Sequence, residues 1–548
     1  LPGAGEHHGR LPGGTPARLI PRHDIASRSF HDTTKAFTGP EQHFRNSVKA
    51  GSGGFSFQPD ASHRLQMEIS NGRFVPESQW QYMIRHDLDA DRGQDPHSDL
   101  FSPGYFEAPL IGGRTVQLLA ETGPPSSLAA PPADALLPER SPLESKTAAG
   151  LRPIEVLEKS LGHYVVDRGG LKTVIAGYPW FLDWGRDSLI FARGLIAAGR
   201  FEDARAVLML FGQYEDRGTL PNMIRGTDAG NRDTSDAPLW FAVACSELAA
   251  AEGGGRFLKS DCGGRTVKQV IASIARAIIA GTPNGVKMDP DSGLVFSPSH
   301  FTWMDTNFPA GSPRQGYPVE IQVFWHATLT FLARIDKKDG RRWRALAETV
   351  RESLVTLFWQ PALGCLADCL HAAPGQAARR AEADDHLRPN QLFAVTLGAV
   401  AEPERARQIL RACEELLVPG AIRSLADRPV GRALPVHYNG NLVNDPHRPY
   451  WGQYFGDEDT RRKPAYHNGT AWTWPFPSYC EAWAMTHGEQ GRQTALSWLT
   501  SSIRLLESGC LGHLPEVIDG DYPHTTRGCD AQAWGASEWV RVWLKLTR

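Results

Sequence analysis

Residues 340–358 read GRRWRALAETVRESLVTLF. Their apolar residues recur every three or four positions, which places them on one face of an α-helix: Trp343, Leu346, Val350, Leu354 and Leu357. The same period predicts about twelve helices, near residues 153–165, 187–198, 201–215, 236–251, 265–281, 320–336, 340–358, 389–400, 403–417, 470–487, 490–508 and 531–547. Beyond residue 150 we therefore expect a mainly α-helical fold.

The connections between the predicted helices alternate in length. Long ones follow the first, third, fifth, seventh, ninth and eleventh helices, whereas most others are tight, as at Gly199-Arg200 and Ala401-Glu402. Six αα-hairpins that close into an (α/α)6 barrel explain this alternation, because every long loop then emerges at the same end. We therefore expect a barrel over residues 151–548, with functional residues on its long-loop face.

The first part of the chain has a different pattern. Residues 64–69, 81–84 and 115–119 are short alternating runs broken by Gly and Pro, and such runs predict β-strands. We expect residues 1–121 to form a smaller β-rich domain, partial here because the chain begins with Leu1. Pro, Ala and Ser dominate the next stretch, which predicts a linker over residues 122–150.

Composition limits the ligands and the environment. The 548 residues carry 58 Lys+Arg against 61 Asp+Glu, a net charge of -3, which excludes the broad basic surface that non-specific nucleic-acid binding needs. No apolar run is long enough for a membrane span, so no membrane association is expected. Eight cysteines without disulfide or zinc spacing predict a reducing, cytoplasmic environment, and neither a metal nor another cofactor is predicted.

Unusual residues gather in the long loops. Aromatic rings suit the faces of sugars, while Arg, Asp and Asn hold hydroxyls and paired carboxyls cut glycosidic bonds. A structural interpretation competes, because Asp is a common N-cap at helix starts and a single Trp is usually a core residue. The candidate residues are Tyr178, Trp184, Arg186, Asp187, Asn222, Asp236, Trp303, Asp305, Arg388, His467, Trp472 and Glu516.

Several motifs in these loops occur together and in order. They are GYPWFLDWGRDSL, LPNMI followed by SDAPLWF, TWMD followed by VEIQVFWHA, RPNQLFA, YHNGTAWTWP, and LPEVIDGD followed by GCDAQAW. From about Gly177 to the C-terminus the chain resembles the amylo-α-1,6-glucosidase part of glycogen debranching enzymes. Residues 80–84, 91–93 and 99–106 are similar to the β-rich N-terminal domain of bacterial members.

The resemblance implies a role for each candidate residue. In related (α/α)6 glycosidases the acid and the base follow the fifth and the eleventh helix, which corresponds here to Asp305 and Glu516, with Asp236 as the alternative acid. Trp303 and Met304 give Asp305 a partly apolar setting, which raises a carboxyl pKa. Substrate contacts are expected from the Arg186-Asp187 pair, which would hold the terminal glucose, and from Tyr178, Trp184, Asn222, Asp236, Trp303, Arg388, His467 and Trp472.

The implied function is release of α-1,6-linked glucose from a branched α-glucan, such as glycogen limit dextrin, by an inverting hydrolase. Three alternatives stay open. The same barrel serves glycoside phosphorylases, in which phosphate replaces water, and other glucosidases or trehalases. An inactive glucan-binding protein would keep the aromatic residues without the chemistry.

Overall fold

The computed structural model describes residues 17–28, 32–91, 95–110, 116–123, 152–306 and 313–548. The chain divides into two compact units, Leu1–Lys146 and Thr147–Arg548. Most of the predicted linker over 122–150 lies outside the described residues, so its boundaries stay a prediction.

The first unit is built from antiparallel strands. Its described part contains β1 (Ala17–Leu19), α1 (Pro40–Asn46), β2 (Val48–Ala50), β3 (Gly54–Phe57), β4 (Arg64–Ile69), β5 (Arg73–Arg85), α2 (Asp87–Asp91), β6 (His97–Leu110) and β7 (Leu118–Gly123). They form two sheets, in the orders β1-β6-β5 and β2-β3-β4-β7. Phe44, Trp80 and Phe101 pack together in the core. The strand predicted at 64–69 coincides with β4.

The second unit is mainly helical. Its described part contains α3 (Pro153–Tyr164), α4 (Gly185–Ala197), α5 (Phe201–Gln213), α6 (Ala237–Ala251), α7 (Val267–Ala280), α8 (Val319–Ile335), α9 (Gly340–Phe358), α10 (Leu392–Thr396), α11 (Pro403–Cys413), α12 (Lys463–Tyr466), α13 (Phe476–Leu499) and α14 (Ala533–Thr547). The helical period in the sequence therefore located the long helices well. Within the ranges given above, no helix has both the length and the apolar character required to cross a membrane.

Helices at the C-terminal end differ in detail from the predicted ones. The helix predicted over 470–487 begins only at Phe476, because Ala471–Trp472 pairs as a strand with Ala421–Arg423 and Val517–Ile518. The expected break after residue 487 is a kink at Gly488, where φ is 64°. Beyond it, the helix predicted over 490–508 ends in a 3-10 segment, Thr500–Glu507.

Six helices of the second unit form a closed ring of contacts. α4 packs against α6, α6 against α8, α8 against α10, α10 against α13 and α13 against α14, and α14 packs back against α4. The neighbouring helices lie against this ring: α3 contacts α14, α5 contacts α4 and α6, α7 and α9 contact α8, and α11 contacts α13.

Burial distinguishes a helix of the ring from one that packs against it. Every residue of α6 from Ala237 to Cys245 is buried, as expected for a helix that is apolar on all faces. In α9 only one stripe is buried, including Trp343, Val350 and Leu354, and the other face carries charges. The amphipathic pattern of α9 and the uniform pattern of α6 are both visible in the sequence.

The long connections lead into the N-termini of the ring helices. Each candidate residue lies in one of them or in the first turn of the helix that follows. Because these helix ends carry a positive partial charge, they favour nearby carboxylates. The six connections span residues 165–184, 214–236, 281–318, 359–391, 417–475 and 508–532, of which 307–312 lie outside the described residues.

Candidate active site

Arg186 contacts residues from two of the long connections. Its side chain is only 2% exposed and lies in the first turn of α4. Its Nε donates a hydrogen bond to Oδ2 of Asp236 at 2.6 Å, and its Nη1 donates to Oδ2 of Asp305 at 3.2 Å. The structure thus brings together residues that lie 50 and 119 positions away in sequence.

The two aspartates at helix starts are not simple caps. Asp236 occupies the N-cap position of α6, but its side chain makes no capping bond. Instead it accepts hydrogen bonds from Arg186 and from Thr234 Oγ1, the latter at 2.7 Å. Asp187 lies inside the first turn of α4, whose N-cap residue is Trp184. The capping interpretation of Asp236 is therefore wrong.

The pKa of Asp187 is raised more strongly than that of Asp305. Burial raises it first, Arg186 opposes that effect, and the negative charges of Asp305 and Glu516 raise it further, to a pKa of about 8. Asp187 therefore holds a proton at neutral pH. Its interaction with both other carboxyls also indicates that Asp305 and Glu516 lie at the same site.

Asp305 combines a raised pKa with access to solvent. Burial raises the pKa of its carboxyl to about 6, although Arg186 opposes the shift. Trp303 and Met304 beside it are buried, in line with the apolar setting expected from the sequence. Its side chain remains 29% exposed, against 2% for Arg186, so a substrate can reach it.

Glu516 is held by donors that the sequence analysis missed. It is 2% exposed and precedes the short strand Val517–Ile518. The hydroxyl of Tyr466 donates to its Oε1, and the backbone N–H of Cys529 donates to its Oε2 at 2.9 Å. Gly528 has φ +68°, and a Cβ there would overlap Oε2. Tyr466 and Gly528 are the first residues of two of the loop motifs, YHNGTAWTWP and GCDAQAW, and their position there was the available signal.

Three buried polar atoms around these carboxyls have no hydrogen-bond partner: Arg186 Nη2, Asn222 Oδ1 and His467 Nε2. Asn222 accepts the backbone N–H of Gly185 through its own carbonyl, and His467 shares a hydrogen through Nδ1 with Thr306 at 2.7 Å. Burial and the charges of Arg388 and Arg186 hold the pKa of His467 well below its usual range, so its ring is neutral.

Arg388 braces the site from within. Its Nη atoms donate to the backbone oxygens of Ser424 and His467 and to Oδ1 of Asn468. Burial lowers its pKa to about 10, although Asp368 opposes this shift. Since its Nη donors are engaged by protein, Arg388 positions neighbouring loops, and its predicted substrate contact stays a prediction.

The candidate aromatic residues divide into two groups. Trp303 and Trp472 are almost fully buried and meet edge to face, with ring centroids 5.2 Å apart. The indole N–H of Trp303 donates to Asn390 at 2.6 Å. Tyr178 and Trp184 are half-buried. Their greater exposure makes this second pair the better candidate for stacking on a sugar.

Charge at the site is unbalanced. Arg186 lies among four carboxyl groups, and we call these five residues the mouth cluster: Arg186, Asp187, Asp236, Asp305 and Glu516. Burial and repulsion between carboxyls raise the pKa values of Asp187 and Asp305, so protons remain on part of this cluster near neutral pH. The cluster can therefore supply one protonated and one ionised carboxyl, the pair that glycoside hydrolysis requires.

The comparisons with known proteins cover both units. Residues 159–541 match the family model described as amylo-alpha-1,6-glucosidase, and residues 7–117 match the glycogen debranching enzyme N-terminal model. The glycogen debranching enzyme of Saccharomyces cerevisiae is 22% identical over 427 residues, which cover 61% of this chain but only 26% of the yeast enzyme.

Two solved structures can be superposed at low similarity. A mannosylglycerate hydrolase from Thermus thermophilus is 15% identical with a TM-score of 0.48, covering 72% of this chain and 100% of its own. A rhamnosidase from Klebsiella oxytoca is 12% identical with a TM-score of 0.46, covering 96% and 95%. The family match spans well over half of the chain and confirms the resemblance in the loop motifs. The chain belongs to the amylo-alpha-1,6-glucosidase family of glycoside hydrolases.

Proposed function

We propose that this protein releases α-1,6-linked glucose from branched α-glucans by an inverting mechanism, with Asp305 as the general acid and Glu516 as the general base. The observation that carries the proposal is the mouth cluster, in which two carboxyls with different surroundings lie close to Asp187. An inverting glycosidase needs such a pair to protonate the leaving oxygen and to activate water on the other ring face.

Asp305 suits the acid role better than its neighbours. A pKa of about 6 leaves part of the carboxyl protonated near neutrality, and its exposed side is open to a leaving group. Asp236 is fully buried and engaged by Arg186 and Thr234. Asp187 holds its proton more tightly but is only 5% exposed, which suits a donor to a sugar hydroxyl.

Glu516 suits the base role because two donors stabilise its charge. Tyr466 and the Cys529 amide each donate to a different oxygen. Hydrogen bonds to the ionised form keep a carboxylate charged and fix its orientation. A water held by this group would then be positioned for attack on the anomeric carbon.

Sugar hydroxyls can form hydrogen bonds with the buried polar atoms that have no partner in the protein. Arg186 Nη2 is a donor, Asn222 Oδ1 is an acceptor, and Nε2 of a neutral His467 serves as either. Unpaired buried polar groups are costly, and a bound ligand that pairs with them recovers that cost. A neutral, hydroxyl-rich substrate fits this need.

The charge balance disfavours a glycoside phosphorylase. A phosphate dianion requires positive charge, whereas the mouth cluster contains one guanidinium and four carboxyls. Water, which is neutral, meets no such repulsion. The cluster also retains both carboxyls that the proposed mechanism needs, Asp305 and Glu516, which argues against an inactive glucan-binding protein.

We also propose that the ring helices and the helices packed against them form an (α/α)6 barrel. The closed ring of contacts among α4, α6, α8, α10, α13 and α14 supports this architecture. All eight cysteines carry free thiols, which supports a reducing compartment such as the cytoplasm.

The test follows free glucose from glycogen limit dextrin, isomaltose, maltose and trehalose, each with and without phosphate. The proposal expects phosphate-independent glucose from limit dextrin, appearing first as the β-anomer in NMR spectra recorded before mutarotation. Phosphate-dependent release of glucose 1-phosphate, or turnover of trehalose alone, contradicts it.

A further inference from the structure

The connection between α9 and α10 contains a group of metal-binding side chains outside the mouth cluster. Its strand Cys369–His371 pairs antiparallel with Glu382–Ala383, which sets His371 opposite Glu382. Asp384 directly follows the second strand, and His386 lies two residues further on. The strand pairing therefore brings His371, Asp384 and His386 together.

The donor atoms of these residues are spaced for one ion. Oδ2 of Asp384 lies 2.9 Å from Nε2 of His371 and 3.4 Å from Nδ1 of His386. One ligand atom from each residue lies within 4.8 Å of the other two. Tetrahedral Zn²⁺ with bonds of about 2.0–2.2 Å needs donor atoms about 3.3–3.6 Å apart. The separation between Asp384 and His386 meets this requirement, and the shorter one between Asp384 and His371 would lengthen when the ion binds.

The hydrogen bonding of His386 calls for a cation beside it. Nε2 of His386 lies 2.8 Å from the backbone oxygen of Arg432. A carbonyl oxygen only accepts, so Nε2 carries the hydrogen, and Nδ1 of a neutral ring is a lone pair facing Asp384. Two lone pairs 3.4 Å apart repel each other, and His386 is only 4% exposed to screening water. A metal ion bound between Nδ1 and Oδ2 would replace this repulsion with two favourable contacts.

Asp384 is also oriented from behind. Its Oδ1 accepts the backbone N–H groups of Asp368 at 2.9 Å and Cys369 at 3.2 Å, which turns Oδ2 toward the two histidines. A ligand histidine that donates to a carbonyl, and a ligand carboxylate held by amides, are typical outer contacts of metal sites.

We propose that His371, Asp384 and His386 bind one divalent transition-metal ion, with Zn²⁺ as the best match. Two imidazole nitrogens and one carboxylate oxygen are ligands that Zn²⁺ accepts. His371 is only half-buried, which leaves room for a water as the fourth ligand. Cysteine spacing gives no sign of a metal site, and the sequence does not reveal this one because its three residues meet only through strand pairing.

The ion would tie two long connections together. His386 bonds to Arg432, and Asp385 accepts the backbone N–H groups of Gly431 at 2.6 Å and Arg432 at 3.1 Å. Arg388, which braces the site, lies two residues beyond His386. The metal therefore has a structural role, holding residues 384–388 against the segment around residue 431.

The test measures zinc binding to the full chain without an affinity tag. Protein freed of metal with a chelator is dialysed against Zn²⁺, its metal content is measured, and Co²⁺ is added to a second sample to record tetrahedral visible absorption. The variants are Asp384→Asn, which keeps the volume and the acceptor for the amides, and His371→Ala at a half-buried position. His437→Ala, at an exposed histidine in a neighbouring segment, is the control.

The expected result is one zinc per chain in the parent and in His437→Ala, with binding at least tenfold weaker in the two site variants. Zinc should raise the unfolding temperature of the parent and the control more than that of the site variants. A folded parent chain that takes up no zinc would overturn the proposal. Equal zinc affinity in Asp384→Asn, His371→Ala and the parent would overturn it as well.

Discussion

Arg186 and Arg193 lie two turns apart on α4, about 10 Å at 1.5 Å per residue, and each anchors a buried group of charges. Around Arg186 the mouth cluster has one cation and four carboxyls. Around Arg193 three cations face three carboxylates, and we call this group the ring cluster: Arg193, Glu247, Glu481, Glu538, Arg541 and Lys545. The same helix therefore carries an unbalanced cluster and a balanced one.

The ring cluster is paired throughout. Arg193 contacts Glu247 at 2.8 Å and Glu538 at 3.3 Å, while Arg541 contacts Glu481 at 2.6 Å and Glu538 at 2.7 Å. Burial alone would raise the pKa of Glu481, but Arg541 and Lys545 hold it at about 2. In the mouth cluster the same burial raises the pKa of Asp187 to about 8, because too few cations oppose it.

The difference shows how to distinguish stabilising charges from functional ones. Burial is similar in both places, so burial does not separate them. What differs is the balance of charge: one guanidinium faces four carboxyls in the mouth cluster, and the pKa values of Asp187 and Asp305 rise toward neutrality, where a carboxyl can exchange protons with a substrate. The comparison predicts that changes in the mouth cluster alter turnover, whereas changes in the ring cluster alter stability.

The largest expected effect is on turnover. Glu516→Gln removes the proposed base while keeping its volume, and kcat should fall roughly 10² to 10⁴-fold, the usual value of general acid–base assistance. The unfolding temperature should change little, because the Gln oxygen can accept from the Cys529 amide while its NH2 group donates to the hydroxyl oxygen of Tyr466. Glu507→Gln, at an exposed glutamate, is the control. Near-parental kcat in Glu516→Gln would remove Glu516 from the mechanism.

The next effect is on stability. Glu481→Gln removes the carboxylate that pairs with Lys545 and leaves Arg541 with Glu538 alone, so the free energy of unfolding should fall by about 3 kcal/mol, as for other broken buried ion pairs. The folded fraction should keep its kcat. Denaturant unfolding measures the change, with exposed Glu489→Gln as the control on the same helix. A large loss of kcat at unchanged stability would reverse the assignment of the two clusters.

A smaller effect on turnover is expected from a neighbour of the base. Tyr466→Phe removes one donor to Glu516, and a hydrogen bond to a charged group is worth about 1.5 kcal/mol, so kcat should fall about tenfold. The pH dependence of kcat should shift upward on its acidic side, because a less stabilised carboxylate is protonated more easily. Tyr82→Phe, at an exposed tyrosine of the first unit, should change neither.

The two clusters should also differ in how stability depends on pH. A raised folded-state pKa means that Asp187 stabilises the fold only while protonated, so this contribution is complete below about pH 4 and is lost as pH rises toward 8. Asp187→Asn stays neutral throughout. Its unfolding temperature relative to the parent should therefore rise as the pH is raised from 4 to 8, which thermal unfolding at the two pH values measures.

The contribution of Glu481 to stability should depend on pH in the opposite direction. Its folded-state pKa is lowered, so its contribution is present above about pH 4.5 and is lost as pH falls toward 2. The parent should therefore lose stability relative to Glu481→Gln only on acidification. An Asp187→Asn difference that does not change with pH would show that this carboxyl is ionised in the folded protein.

Local patterns in the sequence predicted the helices, because the buried stripe of α9 repeats every three or four residues and needs no distant partner. The start of α13 was misjudged, because Ala471–Trp472 is fixed by strands about 50 residues away on either side. Asp305 and Glu516 could be singled out by motif, since their neighbours in sequence are distinctive.

The supports of these residues could not be predicted in the same way. Tyr466 contacts Glu516 across 50 positions, and His371 meets Asp384 through a strand pairing that spacing does not reveal. Asp236 looked like an N-cap because its residue type and position are typical of one. Only the fold shows that its carboxylate accepts a hydrogen bond from Arg186 instead. Contacts between residues far apart in the sequence therefore had to come from the structure.

The most direct measurement of the central assignment uses α-glucosyl fluoride, whose leaving group departs with little help from an acid. With Asp305→Asn, hydrolysis of this fluoride should proceed close to the parental rate, although limit dextrin is cleaved far more slowly. With Glu516→Gln both substrates should be slow, because both need the base to activate water. The assignment of acid and base would be contradicted if Glu516→Gln hydrolysed the fluoride at close to the parental rate. It would also be contradicted if Asp305→Asn lost the same fraction of its rate on both substrates.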